Sequence, residues 1–309
     1  MKLGIAVVYL FGDENAPLLD VHLSQIERHT TVPYTIYGSV NRLDPRYRRR
    51  LEHAPRVRIC DVPDTGLRGG AEHAHYLDHL IKAAIDDGAS HVVTMHLDSF
   101  PIRSGWAEEL AATLSGTCVF ATLQNIQTAC FFFHREFYLQ HRPALWPLVQ
   151  PGMARRYREY VRTERPDQHS GTGYGFTAYA NGLRWYYLRP TSHDPYASDY
   201  PLIWDNIMFH LGATVGAGER RSRPERLLAT LGAQRCLDVV SGGYRLVLPR
   251  ATRQWLRRLA AQPLNYLVDQ PRRNATLARM AVGRRRQELL QDPDAYLRRI
   301  TIQGSRDIH

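Results

Sequence analysis

The sequence contains no long apolar run, few cysteines and almost no lysine. A membrane span needs about 18 consecutive apolar residues, and no stretch of the 309 residues approaches that length. The four cysteines form no Cys-x-x-Cys pair, so their spacing supports neither a zinc knuckle nor a redox motif. We therefore expect a cytoplasmic protein with free thiols, in solution or peripheral to a membrane.

Most of the chain also has no net positive charge. Residues 1–218 hold 21 basic and 22 acidic side chains, whereas residues 219–309 hold 19 arginines and 8 acidic side chains. The net charge of +10 thus belongs to the last part of the chain. We predict two units, a domain over 1–215 and an Arg-rich, mainly helical region over 216–309. An arginine bias fits a GC-rich genome as well as phosphate recognition by guanidinium groups.

Short apolar segments alternate with amphipathic helices in the first half of the chain. Predicted strands are Leu3–Leu10, Tyr34–Val40, Arg56–Val62 and His91–Leu97, and a helix is predicted over His73–Ile85. Strands that alternate with helices indicate an α/β fold with a mostly parallel sheet flanked by helices. Ligands of such sheets bind beyond the carboxyl ends of the strands.

The pattern is less regular further along. Residues 143–166 are rich in Arg and Pro and are predicted to be a mobile, irregular segment. The Gly-rich stretch 170–175 follows no strand, so it is not a dinucleotide motif, and Gly171–Asn181 is predicted to be a helix. Two further helices are predicted in the basic region, over Arg250–Ala261 and Thr276–Leu290.

The strongest local motif is a buried strand that ends in a carboxylate, Val92–Leu97 followed by Asp98 and Ser99. With this motif the chain resembles the family-2-like glycosyltransferases of the GT-A fold, over about residues 3–215. Leu97-Asp98-Ser99 matches the first half of the family's Asp-x-Asp motif, and Phe100 stands in the place of the second Asp. The resemblance implies an inverting enzyme that moves a sugar from a nucleotide sugar to a hydroxyl acceptor.

The resemblance also implies roles for individual residues. Asp167 is the implied catalytic base, and Asp98 with His210 would hold a divalent cation, Mn²⁺ or Mg²⁺, whose requirement the missing second Asp leaves open. The residues implied to bind the donor are Tyr9, Phe11, Gly38, Ser39, Arg68, Gly69, Gly70, His73 and Asp98.

Each of these residues also has a purely structural interpretation. Asp98 could cap a helix or stabilise a turn, Asp167 could be an ordinary loop acid, and His210 could be a core histidine. Glu72, His75 and His79 share one helical face, but a polar helix start is favoured there over a metal site, because no further ligand segment is implied.

The basic region raises the question of the acceptor. Arg272, Arg273, Arg279, Arg284–Arg286 and Arg298–Arg299 flank apolar residues, which is typical of a helix on an anionic membrane surface, of nucleic-acid binding, or of a solvated helix face. A lipid-linked or envelope glycan and a hydroxylated base in DNA are both candidate acceptors. The alternative without catalysis is a nucleic-acid-binding protein built on a degenerate, inactive transferase domain.

Overall fold

A computed structural model of the chain describes residues 1–147, 149–164, 171–192, 201–212 and 282–301. No helix among these residues is both long and apolar enough to cross a membrane. The predicted helix over Arg250–Ala261 lies outside the described residues. The predicted domain boundary at 215/216 lies outside them as well and stays a prediction.

Helices and strands alternate through the first half, as the apolar periodicity predicts. In chain order the elements are β1 (Leu3–Val8), α1 (Pro17–His29), β2 (Tyr34–Ser39), α2 (Pro45–Glu52), β3 (Val57–Ile59), α3 (Gly70–Asp86), β4 (His91–Met95), β5 (Ser99–Pro101) and α4 (Trp106–Thr113). The four strands predicted in this half exist but are shorter than predicted; β1, for example, ends at Val8 rather than Leu10.

The rest of the described chain adds further strands and helices. They are β6 (Cys118–Leu123), β7 (Gln127–His134), α5 (Arg135–His141), α6 (Ala154–Glu164), α7 (Thr172–Ala180), β8 (Arg184–Tyr187), β9 (Ile203–Trp204), β10 (Met208–His210), α8 over 282–291 and α9 (Pro293–Ile300). The prediction of an irregular segment over 143–166 is wrong for its second half. Helix α6 forms there because Tyr160, which is fully buried, packs against Phe176 of α7.

A seven-stranded sheet forms the centre, in the order β3-β2-β1-β4-β7-β6-β8. Strand β1 pairs in parallel with β2 and β4, and β3 and β8 also pair in parallel with their neighbours. Strand β7 runs antiparallel to both β4 and β6. The α/β class with a mostly parallel sheet flanked by helices is confirmed.

A second, three-stranded antiparallel sheet lies directly after β4, in the order β5-β10-β9. Its pairing aligns His210 of β10 with Ser99 of β5 and Phe209 with Phe100. The chain thus turns out of the main sheet immediately beyond β4, and the small sheet brings a segment from residue 208 onward to that turn.

Apolar side chains alternate between the two faces of the main sheet. Ile5 and Val7 of β1 join the core on the side of α1 and α4, whereas Ala6 joins the core on the side of α3 and α7. Helices α8 and α9 belong to the first of these cores through Val282, Leu289, Tyr296, Leu297 and Ile300. The described part of the basic region therefore packs on the α/β domain.

Polar contacts add to this packing. Arg28 of α1 donates two hydrogen bonds to the carboxylate of Asp294, at 2.7 and 2.8 Å. Arg286 donates to Oδ1 of Asn15 at 2.7 Å, and Asn15 lies in the loop between β1 and α1. Helix α8 thus contacts the loop that follows the carboxyl end of β1.

Candidate active site

Asp98 lies in the turn between β4 and β5, at the carboxyl end of the main sheet, and it is only 2% exposed. The turn is held by Ser99, whose hydroxyl accepts the N–H of His96 at 2.8 Å and donates to the carbonyl of Ala129 at 2.6 Å. The backbone carbonyl of Asp98 accepts the N–H of Leu211 at 3.0 Å. Hydrogen bonds from Ser99 and from Leu211 therefore fix the backbone around Asp98.

His210 reaches the same turn through strand β10. The antiparallel register places His210 opposite Ser99, and its backbone N–H donates to the carbonyl of Leu202 at 2.8 Å. Its Nε2 lies 3.8 Å from Oδ1 of Asp98, and both side chains are buried. The structure thus brings together the two residues that the resemblance implied as metal ligands.

A third residue of the group, His96, was not among the sequence predictions. One ligand atom each from His96, Asp98 and His210 lies within 4.8 Å of the others. Phe100, which stands at the second Asp of an Asp-x-Asp motif, is fully buried and stacks on Phe209 at 5.0 Å between ring centroids. The second polar residue of this segment therefore precedes Asp98 instead of following it. In the sequence it is visible as the triplet His96-Leu97-Asp98.

These three side chains offer two imidazole nitrogens and one carboxylate to a cation. Among the described residues, no other group of three His, Cys, Asp or Glu side chains comes this close together. The set suits a divalent metal that accepts nitrogen and oxygen ligands, and three protein ligands leave positions open for a bound molecule. The carboxyl end of a mostly parallel sheet is also where such folds bind ligands.

The first turn of α3 lies beside this group. The ring of His73 contacts the ring of His96 edge to face, with 5.2 Å between centroids. Burial lowers the pKa of His73 to about 4, so the imidazole is neutral at pH 7. Gly69 precedes α3 with a φ of +64°, a conformation that favours glycine. Because the first N–H groups of a helix have no partner inside it, this end of α3 can receive an anion.

Two other residues predicted for this loop lie near the start of α3. A side chain at Gly70 would contact the ring of Trp146, with 3.1 Å between its Cβ and Cζ3. Arg68 is exposed, and its guanidinium donates to the carbonyl of Leu67 at 2.9 Å. This hydrogen bond does not join Arg68 to the group around Asp98.

The buried side chains of His22 and Tyr9 pack beneath the turn that contains Asp98. Nδ1 of His22 on α1 lies 3.0 Å from the carbonyl oxygen of Ser99, and because a carbonyl can only accept, Nδ1 carries the proton. Burial lowers the pKa of His22 to about 4, and it raises the pKa of Tyr9 well above its ordinary value. The rings of Tyr9 and His22 pack edge to face at 5.9 Å between centroids. Tyr9 is 1% exposed, so its ring is part of the core.

The carboxyl ends of β1 and β2 form the adjacent edge. The N–H of Tyr9 donates to the carbonyl of Ser39 at 2.9 Å, and a Cβ at Gly38 would lie 3.0 Å from Cε2 of Tyr9. The hydroxyl of Ser39 donates to Oδ1 of Asn41 at 3.2 Å. Phe11 lies just beyond β1, and its ring contacts Tyr47 at 5.2 Å.

Asp167 lies outside the described residues, so its role stays a prediction. Glu72 binds Arg42 at 3.1 Å, and Nε2 of His75 lies 3.1 Å from the carbonyl oxygen of Pro63. Nδ1 of His79 lies 2.9 Å from the carbonyl oxygen of His75 in the same helix. These contacts stabilise α3 and the loop before it.

Several arginines of the basic region make contacts within the protein. Arg285 on α8 is 1% exposed. Arg286 binds Asn15, and Arg299 binds Glu288. Arg286 thus joins α8 to the domain, Arg299 joins α9 to α8, and Arg285 is buried rather than presented to solvent.

No protein-family model matches the sequence, and no curated protein does either. Solved structures do resemble the fold. Mouse xyloside xylosyltransferase 1 shares 13% identity over 61% of this chain and 86% of that one, with a TM-score of 0.40. The glycosyltransferase GlyE of Streptococcus pneumoniae shares 8% identity over 60% and 44% of the two chains, with a TM-score of 0.35. These likenesses assign no activity to this chain.

Proposed function

We propose that the protein is a glycosyltransferase that uses a nucleotide sugar and a divalent cation. The observation that carries the proposal is the group His96, Asp98 and His210 at the carboxyl end of the sheet. The donor set of this group fits a divalent cation, since it combines a carboxylate with two imidazoles and is largely buried. A cation bound there would neutralise the charge that develops on the leaving diphosphate.

The residues around the group would bind the other parts of the nucleotide sugar. The first turn of α3 offers backbone N–H groups and the positive end of a 17-residue helix to the diphosphate. Tyr47, which is half-buried and packs on the buried ring of Phe11, offers an aromatic surface beyond β1 on which a nucleobase can pack. Tyr9 and His22 lie beneath and keep the turn of Asp98 in place. Asn41, which is exposed and accepts the hydroxyl of the buried Ser39, offers an amide group at the edge next to β2.

The transfer requires only the nucleotide sugar, the acceptor and a base. The acceptor hydroxyl oxygen bonds to the anomeric carbon, the bond from that carbon to the diphosphate oxygen breaks, and the hydroxyl proton passes to a base. Asp167 remains our candidate for that base. Direct attack by the acceptor would invert the anomeric carbon, and the acceptor itself is a hydroxyl compound.

The test is release of nucleoside diphosphate from a panel of UDP- and GDP-sugars by the full chain with a divalent cation. We expect release with at least one donor, and a loss of at least about a hundredfold in Asp98→Asn. The matched control is Asp86→Asn, because Asp86 is exposed and lies at the end of the 17-residue helix α3 that is opposite to the group. Release that is equal in wild type and Asp98→Asn would refute the proposal.

A further inference from the structure

The donor set at Asp98 differs from an oxygen-only site. Two of its three ligands are imidazoles, His96 and His210, and the third is the carboxylate of Asp98. Mg²⁺ and Ca²⁺ are hard cations that take oxygen ligands, and Mg²⁺ keeps most of its water. Imidazole suits Zn²⁺, Fe²⁺, Ni²⁺ and similar first-row cations. The identity of the ligands therefore bears on which metal the site accepts.

The ligands are also held in place by their neighbours. Nε2 of His96 lies 3.0 Å from the hydroxyl oxygen of Thr128, and the hydroxyl of Thr94 donates to the carbonyl of Thr128 at 2.7 Å. In metal sites, a hydrogen bond to one ring nitrogen orients the imidazole whose other nitrogen binds the metal. Thr128 thus orients the half-buried ring of His96 in the way that such partners orient metal-ligating histidines.

The backbone around the other two ligands is equally constrained. The bond from the Leu211 N–H to the Asp98 carbonyl, at 3.0 Å, ties the segment after β10 to the turn. Asp98 and His210 are 2% and 6% exposed, so water does not solvate them freely. Because two of the three side chains are buried and the third, His96, is half-buried, the set does not readily expand to the oxygen-rich, hydrated shell that Mg²⁺ requires.

From these observations, and resting on the proposed function, we infer that the site selects a nitrogen-accepting cation such as Zn²⁺ or Co²⁺ over Mg²⁺ and Ca²⁺. The three side chains would supply two nitrogens and one oxygen to a bound cation, which would stabilise the charge of the donor diphosphate. The affinity for Co²⁺ exceeds that for Mn²⁺, in the general order of divalent first-row metals, and both exceed the affinity for Mg²⁺, which prefers oxygen ligands.

The experiment measures binding of the metals alone to the full chain. Protein treated with EDTA and dialysed is titrated with Mg²⁺, Mn²⁺, Co²⁺ and Zn²⁺ by calorimetry, and Co²⁺ is also followed by its visible absorption. We expect Co²⁺ and Zn²⁺ to bind at least about tenfold more tightly than Mg²⁺. The Co²⁺ spectrum should show the bands of a site with nitrogen ligands, a readout that needs neither turnover nor a variant.

The variant His96→Asp replaces one nitrogen ligand with an oxygen ligand. It should lower the ratio of Co²⁺ affinity to Mg²⁺ affinity by at least about tenfold. The control is His53→Asp, because His53 is exposed and directly follows α2, and it should leave this ratio unchanged. Thermal unfolding of both variants checks that they fold.

The outcomes separate the two proposals. Mg²⁺ binding as tight as Co²⁺ binding in the wild type would overturn the inferred selectivity and leave the transferase proposal standing. A folded His96→Asp protein that keeps the wild-type ratio would overturn the selectivity in the same way. If none of the four cations binds, the metal site of the proposed function fails, and the selectivity fails with it. If Co²⁺ is selected but no nucleotide sugar is turned over, the selectivity stands and the proposed function fails.

Discussion

Nε2 of His210 lies 3.8 Å from Oδ1 of Asp98 because strand β10 pairs antiparallel with β5. The pairing joins the turn after β4 to a segment from the far end of the α/β domain. Both side chains are buried, and His96 completes the group. The proposed chemistry depends on this small sheet, because it brings His210 next to Asp98, more than a hundred residues earlier in the chain.

Thr128 is expected to position His96 for metal binding. Thr128→Val removes the hydroxyl that lies 3.0 Å from Nε2 of His96. We expect affinity for Co²⁺ to fall by about 10- to 100-fold, because loss of the group that orients a ligating histidine weakens the metal site. Calorimetric titration measures the change. Thr122→Val is the control, since the Thr122 hydroxyl donates to the carbonyl of Gln127 at 3.1 Å instead. Equal affinity in all three proteins would contradict this role.

Asp78 should make the stability of the protein depend on pH. Its carboxylate accepts the backbone N–H of Leu145 at 3.1 Å, but burial raises its pKa from 3.8 to about 7. Between these values the folded state holds a proton that the unfolded state has released. The free energy of unfolding should therefore fall as the pH rises from about 4 to 7, by at most about 1.4 kcal/mol per pH unit from this group.

Asp78→Asn removes this titration and keeps an oxygen for the Leu145 N–H. Chemical denaturation at several pH values should show a flatter dependence between pH 4 and 7 in the variant than in the wild type. Asp61→Asn, at an exposed residue, should keep the wild-type dependence. If Asp78→Asn has the wild-type slope, the buried carboxyl is not the cause.

Gly173 is expected to be required for packing and not for binding a nucleotide. A Cβ at this position would lie 2.1 Å from the carbonyl oxygen of Ala144. We expect Gly173→Ala to lower the free energy of unfolding by about 1–3 kcal/mol, because the backbone must move to admit the methyl group. Denaturant titration measures the loss. Gly116→Ala is matched, since a Cβ there meets no atom within 4 Å, and it should change stability little. A stable Gly173→Ala protein would show that the contact relaxes freely.

The C-terminal helices should contribute to the stability of the α/β domain. Leu289 of α8 is fully buried in the core that also contains Ile5 and Phe209. Leu289→Ala should cost about 2–5 kcal/mol of unfolding free energy, the usual range for a buried leucine. Arg284→Ala, at an exposed position of the same helix, should cost little. A loss of less than about 1 kcal/mol in Leu289→Ala, measured by denaturation, would contradict a packed α8.

Much of the fold follows from local patterns in the sequence. The alternation of apolar strands and amphipathic helices predicts β1 to β4 and α3, because strands buried on both faces read as short apolar runs. The direction of β7 could not be predicted, since the run around Phe132 is buried on both faces whichever way the strand points. Helix α6 was missed because Arg and Pro dominate its neighbourhood, while Tyr160 provides the burial.

The site was predictable in part for a similar reason. Asp98 ends a buried strand, which marks it from the sequence alone, and His210 entered through the resemblance. The Asp-x-Asp pattern extends from Asp98 to Phe100 and does not include His96, which precedes Asp98. The charge pattern predicts exposed arginines on α8, but Arg285 is buried. Burial of an arginine depends on tertiary packing, which the charge pattern does not contain.

The most direct test of the proposed donor site is cation-dependent binding of a nucleoside diphosphate. Calorimetric titration of the full chain with UDP and with GDP, with and without Co²⁺ or Mn²⁺, compares the wild type with Asp98→Asn and His210→Gln. We predict that the wild type binds one of the two nucleotides only when a cation is present, and that both variants lose this dependence together with the affinity. Binding that is equally strong without a cation, or unchanged in both variants, would contradict a metal-assisted donor site at Asp98.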